Sequence, residues 1–578
     1  MSQSTSPIFI LLKRLRYPLI LLICIYAILI LGFTLIPGKD DQGNLWYMSF
    51  FHAFYFVSFM GSTIGFGEIP YPFSDAQRMW TIFGIFASVI AWIYSIGTLL
   101  SIIKEPAFQR VLTESAFQRS IRKLKSPFYL ICGYGDTGRM LAHGLATLSI
   151  QTVVIDIKQI RIDMLDIEEP DMDIPGLCAN AVFPENLLMA GLTHQLCKGV
   201  IALTNEDQVN LKIAITSKLL NKNLSVISRA DSREIMANMA SFDTDHIINP
   251  YEMFAKRLAL AIRSPGAYLL YDWFTNSEHN LLDEPPNPPK GSWLVCGYGR
   301  FGKAVSQFLQ YEGIRTIIIE ATPEKTSAPK GYIQGNGTEA ITLKEAGIAS
   351  ASGIVAGTDN DSNNLSVIMT AKEINKNKSL YCVARQNFHR NDVVFNAADL
   401  DLVMQPASII AREIMAIIKT PLLSDFLSLV RKQNRDWINL VISRISGLYD
   451  KEIPSTWTIK ISELHSLEIK SIVQKGQLSI DDLMKNPRDR DKKLCCMPLL
   501  IKYKSKKTKH QLNLLPKNDY KLVLGDEVLF CGDLNSKYLM QWTTNNINTL
   551  QYVINGEEYN RGYIWNKLFG LKSIKEKI

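Results

Sequence analysis

Two long uncharged runs mark the first hundred residues of the chain. Residues 17–36 and 79–103 are each long enough to cross about 30 Å of hydrocarbon as a helix. Lys13, Arg14 and Arg16 stand before the first run, and Lys104, Arg110, Arg119, Arg122, Lys123 and Lys125 follow the second. The loop between them carries Lys39, Asp40, Asp41, Glu68, Asp75 and Arg78. Basic residues outside both outer ends predict that both termini face the cytoplasm. The polar exit Pro37-Gly38-Lys39-Asp40-Asp41 sets the first run apart from a signal peptide, whose shorter apolar core would end in a small-residue cleavage site. Residues 46–60 are apolar and aromatic but too few to span, which predicts a re-entrant helix.

After residue 126 the pattern changes to short apolar strands alternating with amphipathic helices. The strands read FYLICGYG, TVVIDI, GVIALT, LSVISR and HIINP, and then again SWLVCGYG, RTIIIE, SGIVAGT, SLYCVAR and DLVMQP. Such alternation predicts parallel sheets with helices on both faces. Shared landmarks show one unit present twice. Gly133 and Gly297 lie 164 residues apart, as do Asp156 and Glu320. Thr204-x-x-Asp207-x-x-Asn210 returns 154 residues later as Thr358-x-x-Asp361-x-x-Asn364, and Pro250 returns 156 later as Pro406, each before an apolar helix.

Between the re-entrant helix and the second span lies Gly61-Ser62-Thr63-Ile64-Gly65-Phe66-Gly67-Glu68. Replacing the water of an ion with backbone carbonyls requires successive carbonyls to face one axis, and glycine takes the alternating handedness without steric cost. Thr63, Ile64, Gly65, Phe66 and Gly67 have the Thr-x-Gly-Phe/Tyr-Gly spacing that meets this need. Non-helical backbone at membrane depth is tolerated where it lines a water-filled cavity, and a pore supplies one. Span, re-entrant helix, loop and span together resemble the two-transmembrane potassium channels over about residues 15–105. The resemblance implies a homotetramer in which K+ sits at Thr63, Ile64, Gly65 and Phe66. It also implies an acidic ring of Glu68 at the outer mouth, where the family usually has Asp. The negative C-terminal end of the re-entrant helix, near Ser62, would face the cavity. The family's hinge glycine falls on Ala87; Gly84 or Gly97 could bend instead, or serve simply as packing residues. Glu105 reads as a solvated helix end sooner than an inner acidic ring. No arginine-bearing helix precedes the first span, so voltage sensing of the usual kind lacks charge carriers.

Each repeated unit opens with a glycine-rich loop that ends a strand and starts a helix: Gly133, Gly135 and Gly138, then Gly297, Gly299 and Gly302. Eighteen residues past the last glycine stands an acid at a strand end, Asp156 or Glu320. That context is the dinucleotide fingerprint: glycines let backbone N–H groups approach a pyrophosphate, and the acid accepts from a ribose 2′-hydroxyl, favouring NAD over its 2′-phosphorylated form. Asp136 inside the first loop should weaken binding, and Arg300 at the same place in the second should help. After the third strand the second unit has Gly335-Asn336-Gly337-Thr338 and the first Ala179-Asn180-Ala181-Val182. The second unit is therefore the expected principal site. A two-span pore followed by such units resembles ligand-gated channels with tandem RCK (TrkA-N) domains. That resemblance implies a cytosolic gating ring binding NAD(H) or another adenine nucleotide, with the helices after Pro250 and Pro406 pairing neighbouring lobes. Ca2+ is the competing ligand, with Asp207, Asp231, Glu234, Asp243 and Asp245 as oxygen donors.

The expected fold is thus a membrane α-helical two-span pore, two Rossmann-like doubly wound parallel-sheet domains and a small α+β C-terminal domain. The division is a cytosolic N-terminus (1–16), the pore (17–103, with spans 17–36 and 79–103, pore helix 46–62 and filter 63–67), a linker (104–126), the first TrkA-N domain (127–265), a Pro-rich connector (266–291), the second (292–420), a TrkA-C-like domain (421–545) and a tail (546–578). Leu524 to Phe530 resembles the strand turn that closes TrkA-C domains. The lysine run at 502–509 reads as an exposed loop, and a net charge of +8 on 578 residues gives no reason to expect nucleic acid. The cysteines lack CxxC spacing and fit reduced thiols. A membrane-anchored NAD-dependent oxidoreductase is the rival reading, but no acid–base pairing for hydride transfer stands out, and no enzyme activity is expected. A regulatory subunit of a separate transporter would lack the pore. The resemblance points to a bacterial inner membrane.

Overall fold

The computed structural model describes residues 7–65, 71–168, 173–275, 286–375, 379–448, 454–461, 467–503 and 511–556. It divides into two compact units, Met1–Leu124 and Lys125–Ile578.

The first unit is helical. Helix α1 (Pro7–Leu35) leads into a two-residue hairpin, β1 (Gly38–Lys39) with β2 (Leu45–Trp46), then α2 (Phe50–Gly61), α3 (Asp75–Lys104) and α4 (Pro106–Lys123). Leu15–Leu35 and Asp75–Lys104 are long and apolar enough to cross a membrane, and only 22% and 17% of their most apolar stretches are buried within the chain. So large an exposed apolar surface calls for lipid or further protein around it. Helix α2 is shorter than the expected pore helix at 46–62: Leu45 and Trp46 belong to the hairpin, and the Ser49 side chain caps α2 by accepting the His52 N–H. Twelve residues rise about 18 Å, well short of a span. Its Ala53, Phe56, Val57 and Phe59 pack on Leu29, Ile30 and Phe33 of α1. The α3 start is fixed by a capping box between Ser74 and Gln77. Gly84 is buried where a Cβ would meet Leu29 and Met60 at 3.0 and 3.1 Å, a packing glycine, and α3 runs unbroken past Ala87 and Gly97. The linker is mostly helix α4.

The second unit holds two lobes of one design. The first comprises β3 (Phe128–Cys132), α5 (Asp136–Thr147), β4 (Gln151–Asp156), α6 (Gln159–Asp163), α7 (Leu165–Glu168), β5 (Gly176–Cys178), α8 (Pro184–Met189), β6 (Cys197–Ala202), α9 (Asp207–Leu220), β7 (Ser225–Arg229), α10 (Arg233–Ser241) and β8 (His246–Ile248). Helices α11 (Pro250–Arg263) and α12 (Pro265–Thr275) follow. The second lobe comprises β9 (Ser292–Cys296), α13 (Arg300–Tyr311), β10 (Arg315–Glu320), α14 (Pro323–Thr326), β11 (Ile333–Gln334), α15 (Ala340–Glu345), β12 (Gly353–Ala356), α16 (Asp361–Ile374), β13 (Tyr381–Arg385), α17 (Asp392–Ala397) and β14 (Leu402–Met404). It leads into α18 (Pro406–Lys419), α19 (Pro421–Val430) and α20 (Arg435–Ser446). Both sheets are six-stranded and parallel, ordered β5-β4-β3-β6-β7-β8 and β11-β10-β9-β12-β13-β14. This is the doubly wound 3-2-1-4-5-6 order, whose switch point lies between the first and fourth strands.

The lobes exchange helices. Tyr251, Phe254, Ala255, Leu258 and Ile262 of α11 pack into the second lobe against Phe301, Val305 and Leu309. Ile410, Ala411, Ile414 and Ile417 of α18 pack into the first against Leu141 and Leu145. A Cβ on Gly144 of α5 would fall 2.1 Å from Met415 Sδ, so a larger residue there would force the Met415 side chain to move.

The remainder has β15 (Ser455–Lys460), α21 (Leu467–Gln474), α22 (Ile480–Leu483), the hairpin β16 (Lys485–Asn486) with β17 (Asp489–Lys493), β18 (Cys496–Tyr503), β19 (Gln511–Leu514), β20 (Glu527–Gly532), α23 (Leu534–Asn545) and α24 (Ile547–Asn555). An antiparallel sheet β15-β20-β18-β19 makes this the expected small α+β fold. Two expected boundaries move. The connector 266–291 begins inside α12, whose Leu270, Tyr271, Trp273 and Phe274 share a core with α19, α20 and β18. The tail begins after α24, since Leu550 is buried in the C-terminal core. Of the lysine run, Lys502 ends β18, and Lys504, Lys506, Lys507 and Lys509 lie outside the described residues.

Candidate functional sites: an ion loop and two glycine loops

At the C-terminal end of α2 the chain folds back on itself. Ser62 N–H donates to Ser58 O at 3.1 Å, Thr63 N–H to Met60 O at 3.1 Å, and Ile64 N–H to Phe59 O at 3.2 Å. Thr63 and Gly65 take φ of +62° and +65°. Glycine does so freely, whereas a β-branched residue there is strained, a condition that clusters at functional sites. Thr63, Ile64 and Gly65 are exposed in the single chain. Phe66, Gly67 and Glu68 lie outside the described residues.

Each glycine loop sits at the carboxyl end of the first strand of its sheet. Gly133 and Gly297 have φ of +106° and +91°, and a Cβ on Gly138 or Gly302 would fall 2.2 or 1.9 Å from the carbonyl oxygen of Gly133 or Gly297. These positions make the turn and let the helix close on the strand. The middle glycines differ. A Cβ on Gly299 would meet nothing within 4 Å, while one on Gly135 would lie 3.7 Å from the Arg161 guanidinium.

The acids are buried and oriented by backbone. Asp156 accepts Tyr134 N–H at 2.7 Å and Lys158 N–H at 2.8 Å, and Arg161 Nη1 lies 3.0 Å from its Oδ2. Glu320 accepts Tyr298 N–H at 2.6 Å and, on its other oxygen, Thr322 N–H at 2.8 Å, with the Thr322 hydroxyl at 3.2 Å and no ion pair among the described residues. A dinucleotide fits the second loop: an uncovered middle glycine, helix N-terminal amides and an oriented carboxylate with lone pairs to spare. In the first loop Arg161, which the sequence pattern does not single out, pairs with Asp156 and lies beside Gly135 at the mouth. Only its place five residues after the acid could have signalled it.

Arg300 does not project over its own loop alone. Its Nη1 lies 3.0 Å from Asp231 Oδ2 of the first lobe, and its guanidinium carbon 5.5 Å from the Tyr251 ring centre. Asp231 also takes a bidentate pair from Arg229, at 2.9 and 3.0 Å. The Tyr251 hydroxyl accepts from Arg385 Nη2 at 3.2 Å. Thr204 and Asn210, like Thr358 and Asn364, are structural. In each lobe the Asn amide donates to the Thr carbonyl and to the carbonyl of the Arg that ends the next strand, Arg229 or Arg385.

Of the acids expected as calcium donors, Asp207, Asp231 and Asp245 are engaged by other groups. Asp207 accepts the Asp231 and Ser232 amides, Asp231 serves two arginines, and Asp245 pairs with Lys218 at 2.7 Å. Among the described residues no group of three or more His, Cys, Asp or Glu could hold a metal ion. The cysteines of the described residues are free thiols; Cys132 and Cys296, beneath the loops, are buried, and burial pushes the Cys296 thiol up to about 12.

Residues 19–105 match the ion channel family, and residues 129–250 and 293–406 each match the TrkA-N domain. The chain is a two-span, channel-type pore domain followed by tandem TrkA-N domains. Among its relatives is "Potassium channel protein 1" of Methanocaldococcus jannaschii, 26% identical over 216 residues, covering 37% of this chain and 63% of that protein. "Probable potassium channel protein 2" of the same organism is 27% identical over 250 residues, 43% of this chain and 67% of its own length. Among solved structures, "GsuK channel bound to NAD" covers 93% of this chain and 99% of its own, at 16% identity and a TM-score of 0.43.

Proposed function

We propose that four copies of this chain form a potassium-selective channel in the cell membrane, both termini in the cytosol, opened or closed by nucleotide bound to its TrkA-N lobes. The loop Thr63-Ile64-Gly65-Phe66-Gly67 carries the reading. It follows a helix too short to span and lies between two helices long enough to do so. The exposure of Thr63, Ile64 and Gly65 in one chain suits a ring in which other copies complete the cage of carbonyls. K+ is the permeant ion, and Glu68 would gather cations at the outer mouth. The ligand is NAD(H) or another adenine nucleotide, with Gly297, Gly299, Gly302 and Glu320 as the principal site and Gly133, Gly135, Gly138 and Asp156 as the weaker one. It shifts gating by its difference in affinity for the open and closed states.

The test is current through the purified protein in a planar bilayer under a potassium/sodium gradient, with NAD or NADH perfused on the cytosolic side. A reversal potential near that of potassium, and opening that changes with nucleotide, is expected. A selective current indifferent to nucleotide would remove the gating ligand. Steady NADH oxidation without current would put an anchored oxidoreductase in its place.

A further inference from the structure

Between the last turn of α20 and the C-terminal sheet lies a cavity of about 380 Å³. The β18–β19 ladder explains why. Its pairs run from Tyr503–Gln511 to Leu500–Leu514, Leu515 N–H adds one bond to Leu499 O at 2.9 Å, and the chain then departs at Pro516. Pro498 has no N–H to offer a continuing strand. Residues 496–498 therefore lose their neighbour on that side, and α20 and the loop at 515–518 border the space left. Met484, Met497, Pro498 and Pro516 make a buried apolar floor, and the Cys496 thiol beside them stays neutral because burial pushes it up to about 12. The rim is polar. Ser443 and Arg444 of α20 and Asn518 of the loop are exposed, and among the described residues none of these side chains has a hydrogen-bond or ion-pair partner. Of the described residues that line the cavity, Arg444 alone is charged. The carboxylates of the bordering elements are engaged, balanced or distant. Asp481 pairs with Lys493 at 2.8 Å, Asp482 pairs with Lys485 at 2.7 Å, and Asp533 accepts the Ser536 N–H at 2.6 Å. Lys517 and Asp519 flank Asn518 with opposite charges, and Asp436 stands about 12 Å from Arg444 along α20.

We propose that this cavity binds a small carboxylate on a flat apolar body. The Arg444 fork and the Asn518 amide take the carboxylate at the rim, and the body lies on the methionine and proline floor. The volume falls within the range of ligand pockets, about 300–1,000 Å³, and a few polar groups over an apolar lining is their usual make-up. Methionine adapts to the outline of an aromatic ring and makes favourable sulfur contacts with it. Recognition rests on the fork and the amide, since the charges around them are near balance. The site is separate from the glycine loops and does not depend on their occupant. Its ligand touches the C-terminal sheet and α20, third in the helical run that begins with the exchanged α18, at once.

Calorimetric titration of the full-length protein in detergent tests this, with naphthoate, the neutral alcohol naphthalenemethanol, and acetate as probes. Naphthoate is expected to bind once per chain, and the alcohol and acetate, each lacking one half of the ligand, more weakly. Arg444→Gln should weaken naphthoate by at least about tenfold. Ser443→Trp, which fills the mouth, should abolish the binding, and in the same detergent it reports how much probe enters the micelles. Both positions are exposed on α20, so the unfolding temperature without ligand should stay unchanged. No saturable naphthoate binding beyond that of the Ser443→Trp protein, or binding unaltered in the folded Arg444→Gln protein, would overturn the proposal. The alcohol binding as tightly as naphthoate would overturn the role of Arg444, and acetate binding as tightly would overturn that of the floor.

Discussion

Asp156 and Glu320 occupy one position in two copies of a fold, yet an arginine stands beside the first and a threonine hydroxyl beside the second. Glu320 has no ion-pair partner among the described residues and stands beside an uncovered Gly299; Asp156 shares its charge with Arg161 at 3.0 Å. In Glu320→Gln the affinity of the full-length protein for NAD should fall by about tenfold, the scale of one charge-assisted hydrogen bond. Asp156→Asn should change it little, and equal losses by calorimetry would refute the ranking. At this scale the glycines and acids were legible, because their spacing is local and their constraint is backbone geometry. Arg161 and the Arg300–Asp231 pair were not. A local pattern says which side chains are charged, and the partner of each is settled by tertiary contacts.

Among the elements, long strands and helices announced themselves and short ones did not. Gly176–Cys178 and Ile333–Gln334 are too brief to show alternation, though each completes its sheet as the third strand of the doubly wound order. Helix α12 was hidden by the prolines at 285–289, which drew the whole stretch toward a connector although residues 267–274 are mostly apolar. The re-entrant helix lost its first turn to Ser49, since a cap decides where a helix starts within an apolar run. One strand carries a pH-sensitive group. Burial holds His246 of β8 below its ordinary 6.5, outweighing Asp245, Glu413 and Asp425 nearby, so the folded lobe keeps it neutral where the unfolded chain would be protonated. Stability from this group is complete above about pH 6.5 and is lost as pH falls toward the lower folded value. The apparent unfolding temperature should therefore drop on acidification across that range. His246→Gln should flatten that part of the profile; a profile unchanged by the substitution would exclude the histidine.

Across the whole second unit the lobes are joined by exchanged helices and by ion pairs, of which Asp231 is the most buried node. Asp231 is 2% exposed at its side chain and anchors Arg229 within its own lobe and Arg300 of the other. Replacing it with Asn leaves Arg229, 12% exposed, with Asp207 as its remaining nearby carboxylate, and breaking such a buried pair costs about 3–5 kcal/mol. The same change releases Arg300 toward its own glycine loop. Asp231→Asn should thus lower the unfolding temperature while tightening nucleotide binding at the second lobe severalfold, two effects of opposite sign from one carboxylate. Weaker nucleotide binding in the folded variant would show that Arg300 needs its tether to serve the loop.

The exchange of α11 and α18 constrains how such a chain can arise. A single lobe ending in its exchanged helix has no groove of its own for that apolar face. Two copies, each lending its helix to the other, solve the problem together. In the tandem repeat one polypeptide supplies both sides of that mutual loan. Once both halves share one polypeptide they are free to diverge, and the difference between Arg161 beside one loop and open space beside the other is such a divergence.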